Sequence, residues 1–319
     1  MQEIIPAIDH KLILEELTED KFLRHTSKDG NLLYLITHHD SPNVMREIGR
    51  LRELSFRAAG GGTGKEIDID EYDTSEFPYQ QLIVWNPDAC EIIAGYRLMK
   101  CTDAAKDAHG EILTATAHLF NLSDIFHKEY LPYTLELGRS FVQPKYQSRG
   151  TSTKGIYSLD NLWDGLGAIV AKNPDIRYLF GKVTMYPDYN REARNMLLSF
   201  MHSYFPDNIG LGTPIEPLIT KEELAPYDHM WEGLSYKEGH TLLNKNIRER
   251  GENIPPLINS YMNLSASMKT FGTAANYEFG KVEETGILVT IDDIYEAKKE
   301  RYIRTYEAHK DFNNPPAKQ

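Results

Sequence analysis

Residues 81–99 hold an apolar run, the turn triplet Asn86-Pro87-Asp88, and a second apolar run that begins after Glu91. Two strand-length segments joined so tightly must lie side by side, so this stretch predicts an antiparallel hairpin. Further along, the pattern changes. Residues 133–142 (YTLELGRSFV) and 178–185 read as strands, and between them residues 157–172 carry Leu159, Leu162, Trp163, Leu166, Ile169 and Val170 at helical spacing. Strand, helix, strand is a crossover unit, which requires helices packed on a sheet. A chain holding both patterns is restricted to a mixed α/β fold with a mostly antiparallel sheet flanked by helices.

The remaining elements extend that frame. Residues 31–38 read as a strand. Ser41-Pro42 starts a helix, with Ser41 as N-cap and Val44, Ile48, Leu51 and Phe56 on one face, running to about residue 59 where three glycines end it. Residues 9–25 predict two short helices capped by Asp9 and Thr18. Residues 189–204 and 241–250 read as helices, 207–235 as loop-rich, 286–291 as a strand and 292–309 as a charged closing helix. The expected organisation is an N-terminal helical segment (1–30), an α/β core (31–206), a C-terminal extension packed on that core (207–312) and a frayed tail (313–319).

Charge excludes one broad class. Thirty-five Lys and Arg stand against 47 Asp and Glu, a net charge of −12. General nucleic-acid binding draws its affinity from neutralised phosphates, so no nucleic-acid partner is expected. The start of the chain has no signal-peptide pattern, and no apolar run approaches the roughly 18 residues a membrane span requires. The expectation is a cytoplasmic protein able to touch the inner membrane peripherally. The two cysteines, Cys90 and Cys101, lack metal-ligand spacing, and His38-His39-Asp40 is too short a cluster to argue for a metal.

Three stretches carry chemistry. Gln147, Arg149, Gly150, Thr151 and Ser152 lie between the 133–142 strand and the following helix. Small residues there let backbone N–H groups approach a phosphate at a helix N-terminus; a basic surface turn is the plainer alternative. Within the strand, Glu136 and Arg139 are costly unless partnered, and Gly138 marks a bulge or a close approach. Regular alternation points Glu136 and Gly138 one way and Arg139 the other. Asp68, Asp70 and Asp73 form an acidic box whose ordinary explanation is a solvated loop; it lacks the glycine and terminal Glu of a calcium loop. Gly60 to Lys65 (GGGTGK) imitates a nucleotide loop, but Ala59 replaces its leading glycine, Glu66 replaces Ser/Thr, and a helix precedes it. A flexible loop over an active site is the better reading.

Taken in order, Arg52 and Phe56, Asp70 and Asp73, Gly95-x-Arg97-Leu98, and Glu136-Leu-Gly-Arg139-Ser-Phe-Val142 resemble the ornithine-lipid and glycine-lipid N-acyltransferases. That "hemolysin-like" family is a branch of the GNAT superfamily and is related to acyl-homoserine-lactone synthases. The resemblance continues at residues 254–261 and at Phe271-Gly272. Phe141 stands where the ornithine-lipid enzymes commonly have Cys, Ser152 replaces the usual small residue, and residues 207–250 are longer; the glycine-lipid branch is the closer likeness.

The resemblance implies a GNAT core over 31–206 and transfer of a long 3-hydroxyacyl or acyl group to a small amino acid. The donor is acyl carrier protein, through its phosphopantetheine, or acyl-CoA; no tightly bound cofactor and no metal are implied. Glu136 is the expected general base, with Asp70, Asp73, Arg97 and Arg139 orienting groups around it. Backbone near Phe141 and Val142 would stabilise the oxyanion, and Gln147, Arg149, Gly150, Thr151 and Ser152 would hold the donor phosphate. Arg52, Phe56 and Trp163 are the expected substrate contacts. An acidic carrier protein needs a basic dock, for which Lys145, Arg149, Lys154, Lys172 and Arg177 are the candidates. Four other readings remain: a lactone synthase using S-adenosylmethionine, a short-chain acetyltransferase, a non-catalytic thioester-binding module and a membrane-active hemolysin. A product assay separates the first two, and thioester consumption separates both from the last two.

Overall fold

The structure, a computed structural model, describes residues 1–147, 157–218, 221–308 and 313–315. Along the chain run α1 (His10–Glu16), β1 (Phe22–His25), β2 (Leu32–Ile36), α2 (Pro42–Ala58), α3 (Glu71–Thr74), β3 (Gln80–Asn86), β4 (Glu91–Lys100), β5 (Phe120–Leu122) and β6 (Thr134–Val142). There follow α4 (Ser158–Lys172), β7 (Tyr178–Met185), α5 (Arg191–Tyr204), β8 (Gly212–Pro214), α6 (Lys221–Asp228), α7 (Tyr236–Glu249), α8 (Pro256–Met262), β9 (Lys269–Asn276) and β10 (Val282–Thr290). Two short helices, α9 (Glu296–Lys299) and α10 (Thr305–Ala308), come last. The elements group into two compact units. One takes Met1–Ile112, Leu135–Ile176 and Glu296–Gln319; the other takes Leu113–Thr134 and Arg177–Tyr295.

In the first unit β1, β2, β3, β4 and β6 pair antiparallel in that order. Leu33, Ile36, Leu82, Val84, Ile92, Ala94, Leu98, Leu135 and Leu137 are all buried in it. The anticipated stripe of α2 is buried, and so are Arg52 and Glu53 on the same helix. Helix α4 lies so close to β3 that a Cβ added at Gly165 would stand 2.7 Å from Leu82 Cδ2. The opposite face of α4 meets the segment between α9 and α10, where Gly167, two residues on, faces the Tyr302 backbone with no room for a side chain. There Tyr302 Oη donates to Asp160 Oδ1 at 2.5 Å, Arg301 pairs with Asp160, and the Trp163 and Tyr302 rings lie 6.1 Å apart.

In the second unit β7, β10 and β9 pair antiparallel in that order, and β5 pairs with β8. Phe120, Phe126, Phe180 and Phe271 form a linked aromatic core. No helix among the described residues is long and apolar enough to cross a membrane.

Several local expectations need correction. Asp9 does cap α1, but Thr18 makes no side-chain cap, and residues 19–21 form one tight turn before β1. Pairing with β2 overrides the helical spacing there. Ser41 sits at the cap of α2 without capping it; the Glu16 carboxylate takes the N–H groups of Asn43 and Val44 at 3.0 and 2.8 Å instead. A carboxylate supplied from another element meets the same orphan donors and dipole as a local cap. The 207–235 stretch contains β8 and α6, and the closing helix is interrupted by a wider turn at residues 300–304.

The GGGTGK segment is not an open loop. Glu53 accepts from Thr63 N and Oγ1 at 3.0 and 2.8 Å and from Gly64 N at 2.8 Å, and Gly60, Gly62 and Gly64 supply positive φ for the wrap. N–H groups that a nucleotide loop would offer to phosphate are spent on the protein's own carboxylate.

Candidate active site

The acidic box is buried, contrary to the solvated-loop expectation. Asp68 and Asp73 are 0% exposed. Asp70 is the N-cap of α3, and Asp70 and Asp73 exchange backbone-to-carboxylate bonds at 3.2 Å in a reciprocal box. Such a turn fixes three carboxylates on one short stretch, where their mutual repulsion requires cations.

Three arginines from three elements supply them. Arg52 of α2 donates to Asp73 Oδ2 at 2.9 Å and to Gln81 Oε1 at 2.5 Å, while Gln81 Nε2 donates to Asp73 Oδ1 at 3.0 Å. Arg97 of β4 donates from Nη1 to both Asp70 oxygens at 2.8 Å and lies 3.5 Å from Asp73 Oδ1. Its guanidinium lies 5.5 and 5.0 Å from the ring centres of Tyr72 and Tyr79, which meet each other edge-to-face at 5.9 Å. Arg139 of β6 places Nε 3.0 Å from Asp68 Oδ2 and Nη2 3.6 Å from Asp70 Oδ2.

Burial alone would push Asp70 up, but Arg97 and Arg139 outweigh it and hold its carboxyl well below the usual range. Burial likewise works against the Arg97 cation, and Asp70 and Asp73 more than restore it. At Asp68 burial wins over Arg139 and Arg52, and the carboxyl is raised. Tyr72 is pushed up to about 12, by burial first and then by Glu71 and Asp70, against Arg97.

A bulge brings Arg139 into this cluster. Gly95 pairs with Phe141 and Arg97 with Gly138, so Arg139 and Ser140 together oppose Tyr96. Arg139 takes the left-handed conformation at φ 49°, at a cost of about 1–3 kcal/mol for a residue with a side chain. Regular alternation would have turned it away from the Arg97 face; the extra residue delivers it to Asp70, the carboxylate Arg97 already holds. The bulge expected at Gly138 is present, with the strained residue one place later.

Glu136 pairs with Met99, two residues from the Arg97–Gly138 pair, and so shares the Arg97 face; it is 1% exposed. Cys101, fully buried, is raised by burial and then by Glu136. At the end of β6, the Phe141 ring covers Gly95: a Cβ there would be 2.6 Å from Phe141 Cε1. The Val142 carbonyl accepts from Gln147 Nε2 at 2.8 Å and Ser55 Oγ at 3.3 Å. Arg149, Gly150, Thr151, Ser152 and Lys154 lie outside the described residues.

Arg52, Asp70, Asp73, Arg97 and Arg139 therefore form one cluster. Of the other expected contacts, Phe56 is buried at 6% exposure one turn after Arg52 on α2, and Trp163 packs on Tyr302. Of the expected basic dock, Lys145 pairs with Glu91 at 2.7 Å, Lys172 is exposed at the end of α4, and Arg177 lies over the Tyr133 ring. Sequence reasoning named Asp68 in the acidic box without giving it a role, and did not place Gln81, Tyr72 or Tyr79 in the site. Gln81 offered a signal, as a polar side chain at the start of an otherwise apolar strand. The oxygens of the acidic box point at guanidiniums, and among the described residues no group of three His, Cys, Asp or Glu is arranged for a metal.

Comparison with known proteins adds an independent line. Residues 51–154 match the family model "Acetyltransferase (GNAT) domain". The chain is 54% identical over 317 residues to a glycine N(alpha)-acyltransferase of Bacteroides thetaiotaomicron, covering 99% of this chain and 94% of that protein. It is 53% identical over 306 residues to a glycine N(alpha)-acyltransferase of Phocaeicola vulgatus, covering 96% and 94%. Among solved structures, the CoA-dependent acyl-homoserine lactone synthase BjaI aligns over 87% of this chain and 90% of its own at 12% identity, with a TM-score of 0.37. A likeness that low carries no argument about chemistry.

Proposed function

This chain belongs to the glycine N(alpha)-acyltransferase family and is an N-acyltransferase, and from that premise we propose that its acceptor is glycine and its donor a long acyl or 3-hydroxyacyl thioester. The observation that carries the reading is 54% identity sustained over 99% of the chain. Acyl carrier protein or CoA presents the thioester, and the product enters aminolipid synthesis at its first step. The exposed Lys145 and Lys172 are the docking candidates for an acidic carrier protein, and contact with the inner membrane would be peripheral.

The amine of glycine is mostly protonated near neutral pH and cannot attack until it loses a proton. Glu136 accepts that proton, directly or through water. The freed amine adds to the thioester carbonyl, the oxyanion is met by backbone N–H near Phe141 and Val142, and collapse expels the pantetheine thiol. Gln147, Arg149, Gly150, Thr151 and Ser152 hold the donor phosphate. Asp70, Asp73, Arg97 and Arg139 keep the β4–β6 surface beside Glu136 in one arrangement, and Arg52 secures Asp73 and Gln81 behind it. Removing one partner of such a buried pair leaves an uncompensated charge, so each member of the cluster depends on the others.

The test is direct. Purified protein with glycine and either palmitoyl-CoA or palmitoyl-acyl carrier protein is followed by thiol release and by mass spectrometry of the product. N-Acylglycine formation supports the reading. Acyl transfer to ornithine but not glycine, lactone formation from S-adenosylmethionine, or acetyl-CoA turnover without long-chain preference would each replace it.

A further inference from the structure

A cavity of about 180 Å³ lies within the second unit, beside α5. Leu198 and Met201 of α5 and Leu224 of α6 line it with apolar surface, and Thr270, Thr273 and Thr285 of β9 and β10 line it from the sheet. Protein interiors are packed closely enough that voids larger than a water are few. A bulge shapes the sheet side. Thr285 pairs with Thr273 and Ile287 with Thr270, so Phe271 and Gly272 together oppose Gly286. Regular alternation would point Thr270 and Thr273 to opposite faces; the extra residue puts both on the face of Thr285. Gly272 takes φ 99°, and a Cβ there would stand 2.7 Å from Pro214 Cγ. The Phe271 ring, large enough to fill the space, lies over Gly286 on the other face.

The three hydroxyls leave one donor over. Thr270 Oγ1 donates to the Phe205 carbonyl at 3.1 Å, and the Thr273 and Thr285 hydroxyl oxygens lie 2.8 Å apart. Each hydroxyl carries one hydrogen, and the bond between Thr273 and Thr285 uses one of their two. Among the described residues that line the cavity there is no lysine, arginine, aspartate or glutamate, and His202 is exposed. A charged ligand would be buried there without a counter-charge. A cavity of roughly 150 Å³ with apolar walls accepts a six-carbon ring. We propose that this cavity binds a small neutral aliphatic molecule of about six carbons, whose oxygen accepts the remaining threonine hydrogen bond. A primary alcohol of that size meets both conditions; a hydrocarbon leaves the donor unpaired. The site is independent of acyl transfer: none of Arg52, Asp70, Asp73, Arg97, Glu136 or Arg139 lines it.

The test titrates the full-length chain with 1-hexanol, benzene and hexanoate, read by calorimetry and by amide chemical shifts. Hexanol should saturate one site, shift the amides of α5 and of the β9–β10 pair, and raise the melting temperature as its concentration rises. Hexanoate should bind more weakly than hexanol, as a charge without a partner does. Thr273→Val combined with Thr285→Val keeps the space and removes both hydroxyls. In that variant hexanol affinity should fall roughly tenfold, with benzene affinity unchanged. Met201→Trp fills the space and should abolish binding of both; if it does not fold, the valine pair decides alone. Hexanol binding that does not saturate, equal hexanol affinity in the valine pair, or tighter binding of hexanoate would each overturn the assignment. Competitive displacement of hexanol by palmitoyl-CoA would make the cavity part of the donor site and would overturn it as well.

Discussion

Arg139 Nε stands 3.0 Å from Asp68 Oδ2, and it reaches that position from a left-handed backbone one residue after Gly138. Asp68 is fully buried, so loss of the cation leaves a carboxylate with little solvent. Arg139→Met should cost about 3–5 kcal/mol in urea unfolding. Adding Asp68→Asn should recover part of it, with a coupling of roughly 0.5–3 kcal/mol in the double-mutant cycle. Additive costs would show that the two side chains do not act as a pair.

Glu136→Gln keeps shape and burial while removing the ability to accept a proton. Its kcat should fall roughly 10²–10⁴-fold with the melting temperature held within a few degrees. A Gln variant that turns over at the wild-type rate transfers base catalysis to another group.

Asp70 makes a contribution with a defined sign against pH. Its folded-state carboxyl is held below the ordinary 3.8, burial being outweighed by Arg97 and Arg139. The stability it contributes is therefore fully present above that value and disappears as pH falls through the lowered one. The difference in unfolding free energy between wild type and Asp70→Asn should stay flat from about pH 5 to 8 and shrink only in stronger acid. Asp68 has the opposite sign: raised by burial, it costs stability as pH rises from 3.8 to its folded value.

Much of this arrangement was legible in the sequence because charge in apolar strands is expensive. Glu136 and Arg139 stood out for that reason, and Arg52, Arg97 and the pair Asp70 and Asp73 followed from the resemblance that their order along the chain carries. What stayed hidden was the bulge. Alternation assigns Arg139 to the wrong face, since one extra residue reverses parity and no local feature locates it to the residue. Burial of the acidic box was equally hidden, because three carboxylates look solvated until their arginines arrive from α2, β4 and β6. Strand β9 and the 22–25 strand depend on partners distant in sequence, and local propensity there was outvoted by pairing.

Gly95 is required by the ring above it. An alanine Cβ would lie 2.6 Å from Phe141 Cε1 and 3.3 Å from the Leu82 carbonyl oxygen. Gly95→Ala should destabilise the protein by about 1–3 kcal/mol in urea unfolding and lower activity by displacing the end of β6. Phe141→Leu in the same chain should relieve part of the strain.

The contact between Asp160 and Tyr302 should be measurable on its own. Tyr302→Phe deletes a hydrogen bond to a carboxylate that is half-buried, for a loss of about 1.5–3 kcal/mol. Limited proteolysis should then cut first within residues 296–308. Resistance equal to wild type would mean that ring packing on Trp163 holds the segment by itself.

The crossing of α4 at Gly167 has a consequence in time. Residues 296–308 leave the ribosome only after 177–295 have been made, yet they belong to the same unit as α4 and meet Asp160, Trp163 and Gly167 there. Synthesis at about 5–20 residues per second leaves that face of the helix bare for several seconds. The nascent chain is most open to capture by chaperones, and to sticking to its neighbours, in that interval.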